Sequence, residues 1–202
     1  MGTGLTERNK ERTRRDIAEA AGQLFLERGY AATTVQDIAT VADVSPRTFF
    51  RYFPCKEDVI TAIASGSMDD VLEHLAGHDA DESLMSVLTA TFSAVLAPAI
   101  DDPDAARAFQ LMLRETPALR GRWLEEQRRN RDRLAEELRP WFDDDCSAVA
   151  RHLAAGAALL AIDEVMTLWA DDPSLGDPLG LLHQALQILD GPSIFPAKHT
   201  AR

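Results

Sequence analysis

The chain has 202 residues, 46% of them hydrophobic but only 6% aromatic, and carries a net charge of −12. That length can bury one core or two small ones. The two cysteines, Cys55 and Cys146, stand far apart without C-x-x-C spacing, which excludes a disulfide framework.

No unbroken apolar run reaches the eighteen residues of a membrane span, so no membrane partner is expected. The first ten residues lack a signal-peptide core, and a cytoplasmic location is expected. Leucine and alanine abound and β-branched runs are short, which favours an all-α protein of about nine helices. The first 60 residues carry nine Lys/Arg and nine Asp/Glu. The rest carry twelve and twenty-four, so the whole acidic excess lies there. Arg8, Lys10, Arg12, Arg14 and Arg15 make the chain start locally basic, and charge acts over a Debye length of about 8 Å rather than through the total.

A loose tail should precede a first helix from about Glu7 to Arg28. Ile17, Ala21, Leu24, Phe25 and Arg28 keep helical spacing, and Gly29 supplies the stop. Thr34 followed three residues later by Asp37 is a capping box, so a short helix begins at Val35 with Ile38 and Ala39 on its apolar face. The chain turns at Asp43. Ser45 then offers an N-cap oxygen and Pro46 takes the first helical position, which predicts a second short helix to about Phe53. Phe49 and Phe53, at i and i+4, can anchor it. Two short helices around a tight turn form a helix-turn-helix, whose second member enters the DNA major groove. Arg47 can pair with guanine, and Thr48 can reach a base edge. Tyr52 and Lys56 can contact phosphates, as can Arg12 and Arg14 upstream.

A fourth helix should run from near Lys56 to about Leu75, with Gly66 as a place to bend. Asp81 and Glu82 open a fifth, which Pro98 ends. Asp101 to Asp104 open a sixth, Pro117 starts a seventh to about Leu138, and Asp143 to Asp145 cap an eighth to about Ala170. The ninth runs from Pro178 to Asp190, and the last dozen residues are a tail. The eighth helix is apolar and small-sided over much of its surface, as a helix buried on two sides must be. With the ninth it can form a bundle across a two-fold axis, through Leu153, Ala157, Leu160, Leu182, Leu186 and Leu189. The middle helices suit a ligand cavity lined by Leu88, Phe92, Phe109, Met112, Trp123, Gln127 and Glu164.

The run Thr33-Thr34-Val35, Ile38-Ala39, Val44-Ser45, Thr48-Phe49-Phe50-Arg51-Tyr52-Phe53 and Lys56-Glu57-Asp58 resembles the TetR family of bacterial transcriptional regulators. The likeness reaches back to Ile17 and covers roughly the first 65 residues. It implies a three-helix DNA-binding domain over residues 1–55, a helical ligand-binding and dimerisation domain over 56–190, and a tail over 191–202. By resemblance, Thr33, Thr34, Ser45, Phe50 and Arg51 join the DNA-facing set, and the partners are a palindromic operator, a second copy of the chain and a small effector. The form V-S-P-R-T-F-F-R-Y-F-P is similar to a subset with acyl-chain or acyl-CoA effectors. Cys55 stands where the family usually has Asn or Ser, which leaves the start of the fourth helix without its usual cap. No cofactor is expected.

Two rivals have some footing. Asp69, Asp70 and Glu73 form a D-D-x-x-E run that in an all-α enzyme holds Mg²⁺. A small-molecule binding protein whose helix-turn-helix only packs is the other. His74 and His78 share a helix face but lack a third ligand at set spacing, and a solvated helix end fits them better than a metal. No nucleophile motif or phosphate loop is present, and no enzyme is expected.

Overall fold

The computed structural model describes residues 3–143 and 147–190, and the side chains of all of these except 3–8 and 173. The described residues form nine α-helices and no strand. They are α1 (Thr3–Arg28), α2 (Val35–Val41), α3 (Pro46–Tyr52), α4 (Val59–Leu75), α5 (Leu84–Asp101), α6 (Pro103–Glu115), α7 (Pro117–Glu137), α8 (Ala148–Asp171) and α9 (Pro178–Leu189). The all-α class and the order of elements agree with the sequence reading.

Helices begin and end where local chemistry says they should. Gly29 follows α1 with φ 82, a conformation glycine adopts without a Cβ penalty. Asp177 caps α9 by accepting the Gly180 N–H at 3.0 Å. Four boundaries differ from expectation. Helix α1 already begins at Thr3, where a loose tail up to about Glu7 was expected. Helix α5 starts after Ser83, which caps it through the Ser86 N–H at 3.1 Å, rather than at Asp81. Pro98 does not end α5, which runs on to Asp101. Proline removes one helix hydrogen bond but leaves its own carbonyl to accept, and Asp102 N–H donates to it at 3.1 Å. Ser147, not the Asp143 to Asp145 run, precedes α8; Asp144 and Asp145 lie outside the described residues, as does the 191–202 tail.

Two compact units emerge. The first comprises residues up to Gly66 together with Met112–Glu126; the second comprises Ser67–Leu111 and the residues from Gln127 onward. Neither edge falls at 55/56, and α4, α6 and α7 each contribute to both units. The core of the first unit holds Ile17, Ala21, Leu24, Phe25, Ile38, Phe49, Phe53 and Val59, all at most 2% exposed. Short helices such as α2 and α3 are marginal alone, and this shared core is what stabilises them. The second unit is built around Val87, Leu88 and Phe92 of α5, Leu134 and Leu138 of α7, Ala154, Ala155 and Ala158 of α8, and Leu182 and Leu186 of α9. Alanines on α8 let neighbouring helices approach closely. Helices α5 and α8 are each long and apolar enough to cross a membrane when hydropathy is averaged along them, although neither is an unbroken apolar run. Both supply the core of the second unit.

Candidate nucleic-acid interface

Each short helix of the helix-turn-helix is fixed at its start by its own side chains. Thr34 N–H donates to Asp37 Oδ2 at 2.9 Å, and Asp37 N–H donates to Thr34 Oγ1 at 3.1 Å. This completes the capping box. Hydrogen bonds from the Thr34 side chain and backbone hold the Asp37 carboxyl below the usual carboxylate range. Ser45 Oγ accepts the Thr48 N–H at 3.0 Å, and Pro46 occupies the first helical position. Between the helices Asp43 adopts φ 52, the left-handed turn that lets Val44 N–H reach the Ala39 carbonyl at 2.9 Å. Asp is among the few non-glycine residues that tolerate it.

Phe49 and Phe53 are 0% and 1% exposed. With both buried, the opposite face of α3 must point outward. Arg47, Phe50 and Arg51 are exposed there and follow i, i+3, i+4 spacing. The Arg51 guanidinium lies 5.1 Å from the Tyr52 ring centroid, so this cation is partly ordered against half-buried Tyr52. Arg12 is exposed on α1, while Arg14 packs over the Phe53 ring at 5.6 Å and pairs with Glu11 at 3.6 Å.

Four residues of the expected DNA-facing set are engaged within the protein itself. Thr33 is 1% exposed, and its hydroxyl donates to the Gly29 carbonyl at 2.9 Å, with the Leu24 carbonyl at 3.2 Å. It closes the C-terminus of α1 and does not face a duplex. Thr34 and Ser45 are exposed, but each has a hydroxyl committed to a helix start. Lys56 is not a free point charge. Its Nζ donates to the Tyr30 carbonyl at 2.7 Å and the Thr33 carbonyl at 2.8 Å, and sits 3.9 Å from the Tyr30 ring centroid. Those carbonyls lie just past the end of α1, where no helix partner remains for them. Burial lowers the Lys56 pKa from its ordinary value.

Around Lys56 lies a cluster that sequence reasoning missed. The Tyr30 hydroxyl donates to Glu57 Oε1. Burial, then Glu57, raises the Tyr30 pKa, while that hydrogen bond lowers the Glu57 pKa. The Cys55 thiol donates to Asp58 Oδ2 at 3.1 Å and makes no cap, as its departure from the usual Asn or Ser implied. Burial, then Asp58, raises the pKa of that thiol. Arg122 of α7 pairs with Asp58 at 2.9 Å, a partner 64 residues away that no sequence spacing reveals. Glu57 and Asp58 already stood in the family-like run, but nothing local paired Glu57 with Tyr30.

The other predicted sites divide. Leu88 and Phe92 are fully buried in the second unit, with Phe109 and Gln127 partly buried there. Met112 and Trp123 belong to the first unit, and Met112 packs on its core, so the structure does not group these two with the other four. Glu164 is exposed, on the same face of α8 as Leu153, Leu160 and Leu168, and is not an interior polar contact. Of the proposed dimer residues, Leu153 and Leu160 are 62% and 58% exposed, while Ala157 and Leu189 are half-buried. Leu182 and Leu186 are 0% and 1% exposed and face their own unit, because the stripe Pro178, Leu182, Leu186 is the one α9 turns inward against α8 and α5. The D-D-x-x-E run is exposed and Asp69 pairs with Arg133; His78 pairs with Glu82 at 3.1 Å. Among the described residues no cluster of three His, Cys, Asp or Glu is placed to hold a metal.

Comparison with known proteins agrees with this geometry. Residues 17–63 match the family of bacterial regulatory proteins described as the tetR family. The transcriptional regulator TcmR of Streptomyces glaucescens is 34% identical over 140 residues, 66% of this chain and 62% of that protein. The transcriptional repressor KstR2 of Rhodococcus jostii is 31% identical over 43% of this chain and 45% of its own length. The chain thus spans less than two thirds of these relatives. Among solved structures, the fatty acid degradation regulator FadR of Bacillus halodurans superposes with a TM-score of 0.56 at 26% identity, covering 91% of this chain and 97% of that one. FadR of Bacillus subtilis, solved with stearoyl-CoA, has a TM-score of 0.60 at 24% identity and covers 87% and 96%.

The Tyr30–Glu57 pair has a pH signature. A carboxyl whose folded pKa is depressed below its ordinary 4.5 contributes stability that is full above that value and is lost as pH falls through the lowered one. Thermal melts of Glu57→Gln should therefore lie below wild type near neutrality, with the gap closing as the pH falls through the ordinary 4.5 and below it. A gap that stays constant across that range would show that the Glu57 charge contributes nothing.

Proposed function

Because the chain belongs to the TetR family of bacterial regulatory proteins, we propose that it is a ligand-responsive DNA-binding transcriptional regulator, cytoplasmic and without catalytic activity. In this reading it is a homodimeric repressor. The observation that carries it is the outward face of α3, where Arg47, Phe50 and Arg51 stand exposed on a helix anchored by two buried phenylalanines. Residues up to Gly66, with Met112–Glu126, form the DNA-reading unit, and the rest binds effector and partner.

One recognition helix reads too few base pairs to bind tightly alone. A second copy places its α3 one helical turn away, about 34 to 36 Å, on a palindrome. The exposed leucines of α8, Leu153, Leu160 and Leu168, with Val149, support self-association there. Glu164 shares this face, so its partner is sought in the other copy. The effector is a small apolar or amphipathic molecule, an acyl chain or acyl-CoA, received among α5 to α8. Leu88, Phe92, Phe109 and Gln127 are its expected contacts. Binding shifts the dimer toward a spacing that no longer fits two half-sites. A coupling of about 1 to 3 kcal/mol gives a 5- to 150-fold release.

Three measurements test the parts separately. Arg47→Ala should weaken binding to the preferred operator by about 1 to 3 kcal/mol and relax preference at one base pair, read by fluorescence anisotropy across single-base variants. Unchanged affinity and preference would remove Arg47 from base reading. Leu160→Glu should give a monomer in sedimentation and lose tight operator binding, because a charge on a desolvated apolar face is costly. A dimer that persists would place the interface elsewhere. Palmitoyl-CoA added to the protein–operator complex should lower affinity by about 5- to 150-fold, while free CoA should not. No effect from either would discard the acyl effector and leave the DNA role standing.

A further inference from the structure

We propose that Phe50 reads a thymine C5-methyl group, which makes it the apolar half of a two-residue base-reading face with Arg47. The inference rests on the DNA-binding reading above and adds to it the identity of a second recognised base. Phe50 is 54% exposed, whereas Phe25, Phe49 and Phe53 of the same unit are at most 2% exposed. The exposed ring is not loose. It stands edge-on to Phe49, with centroids 5.5 Å apart and planes at 86°, and Phe49 is itself immobilised in the core. An aromatic side chain ordered before contact loses little freedom on binding.

Its neighbours narrow the occupant. Arg47 and Arg51 stand three residues before and one after it, both exposed. Two cations beside an apolar ring suit a phosphate-lined groove better than an apolar protein surface. The remaining polar side chains of α3 are partly spent. The Ser45 and Thr48 hydroxyls bond to each other at 3.0 Å, and the Tyr52 ring is covered by Arg51. Phenylalanine has no donor or acceptor, so it cannot address the hydrogen-bonding pattern of any base. The apolar group that base pairs display in the major groove is the thymine methyl. A preferred half-site therefore holds a guanine for Arg47 and a thymine within reach of Phe50.

The test uses the full chain and a duplex that the chain itself selects from a random pool. Each thymine of the half-site is replaced in turn by deoxyuridine, which removes only the methyl. Wild type should lose about three- to fivefold in affinity at one symmetric position, the scale of one buried methyl group. Phe50→Ala should bind the thymine and deoxyuridine duplexes equally, and Phe50→Leu should keep part of the difference. Because Phe50 lies outside the core, both variants should melt near wild type. Wild type indifferent to every replacement, or Phe50→Ala retaining the wild-type difference, overturns the proposal. So does a Phe50→Ala chain that changes only its oligomeric state, which would assign the ring to a protein partner. A pool from which no sequence is enriched removes the DNA-binding reading itself, and this inference with it.

Discussion

The burial of Phe49 and Phe53 beneath α1 is the constraint on which the reading face depends. The two rings are one helical turn apart, so sinking both in the core fixes the rotation of α3 about its own axis. Arg47, Phe50 and Arg51 then have only solvent to face. Two fully buried aromatic side chains contribute several kcal/mol by area. That is ample to hold a seven-residue helix that would not form by itself.

A second support works from the side. Lys56 ties down two carbonyls past the end of α1, Thr33 ties down two more, and Tyr30 and Glu57 bind each other beside them. The Gly29, Tyr30 and Thr33 carbonyls between α1 and α2 are thereby bonded from within the same unit. Lys56 is thereby held by two carbonyls and the Tyr30 ring. Arg122 adds a link of a different kind. It brings α7 to Asp58 at the turn just before α4, so the helix that begins in the first unit and ends in the second grips the base of the helix that does the same.

Much of this was legible in the chain. The Thr34–Asp37 box, the Ser45-Pro46 start, the Phe49–Phe53 spacing and the Gly29 stop are local signals, each complete within four residues, and each is realised. What was not legible is long-range or depends on which of two plausible faces a helix turns inward. Leu182 and Leu186 carry the same apolar spacing for either a core or an interface, and only the packing of α9 on α8 and α5 decides. Met112 looked like a pocket residue because α6 belongs to the middle of the chain, yet the last turn of that helix joins the first unit. Glu164 looked buried because its neighbours are apolar, but Val165 and Met166 turn inward while Glu164 stands on the face of α8 that carries exposed Leu160 and Leu168. Pro98 looked like a terminator because proline usually is one, and α5 carries it in its last turn.

The thiol of Cys55 has a chemical consequence of its own. It is half-buried, donates its proton to Asp58, and has its pKa raised by burial and by that carboxylate. Peroxide and alkylating agents attack the thiolate, and here the thiolate is scarce at neutral pH. The Cys55 side chain is thus a poor target for oxidants and alkylating agents despite standing at the turn before α4.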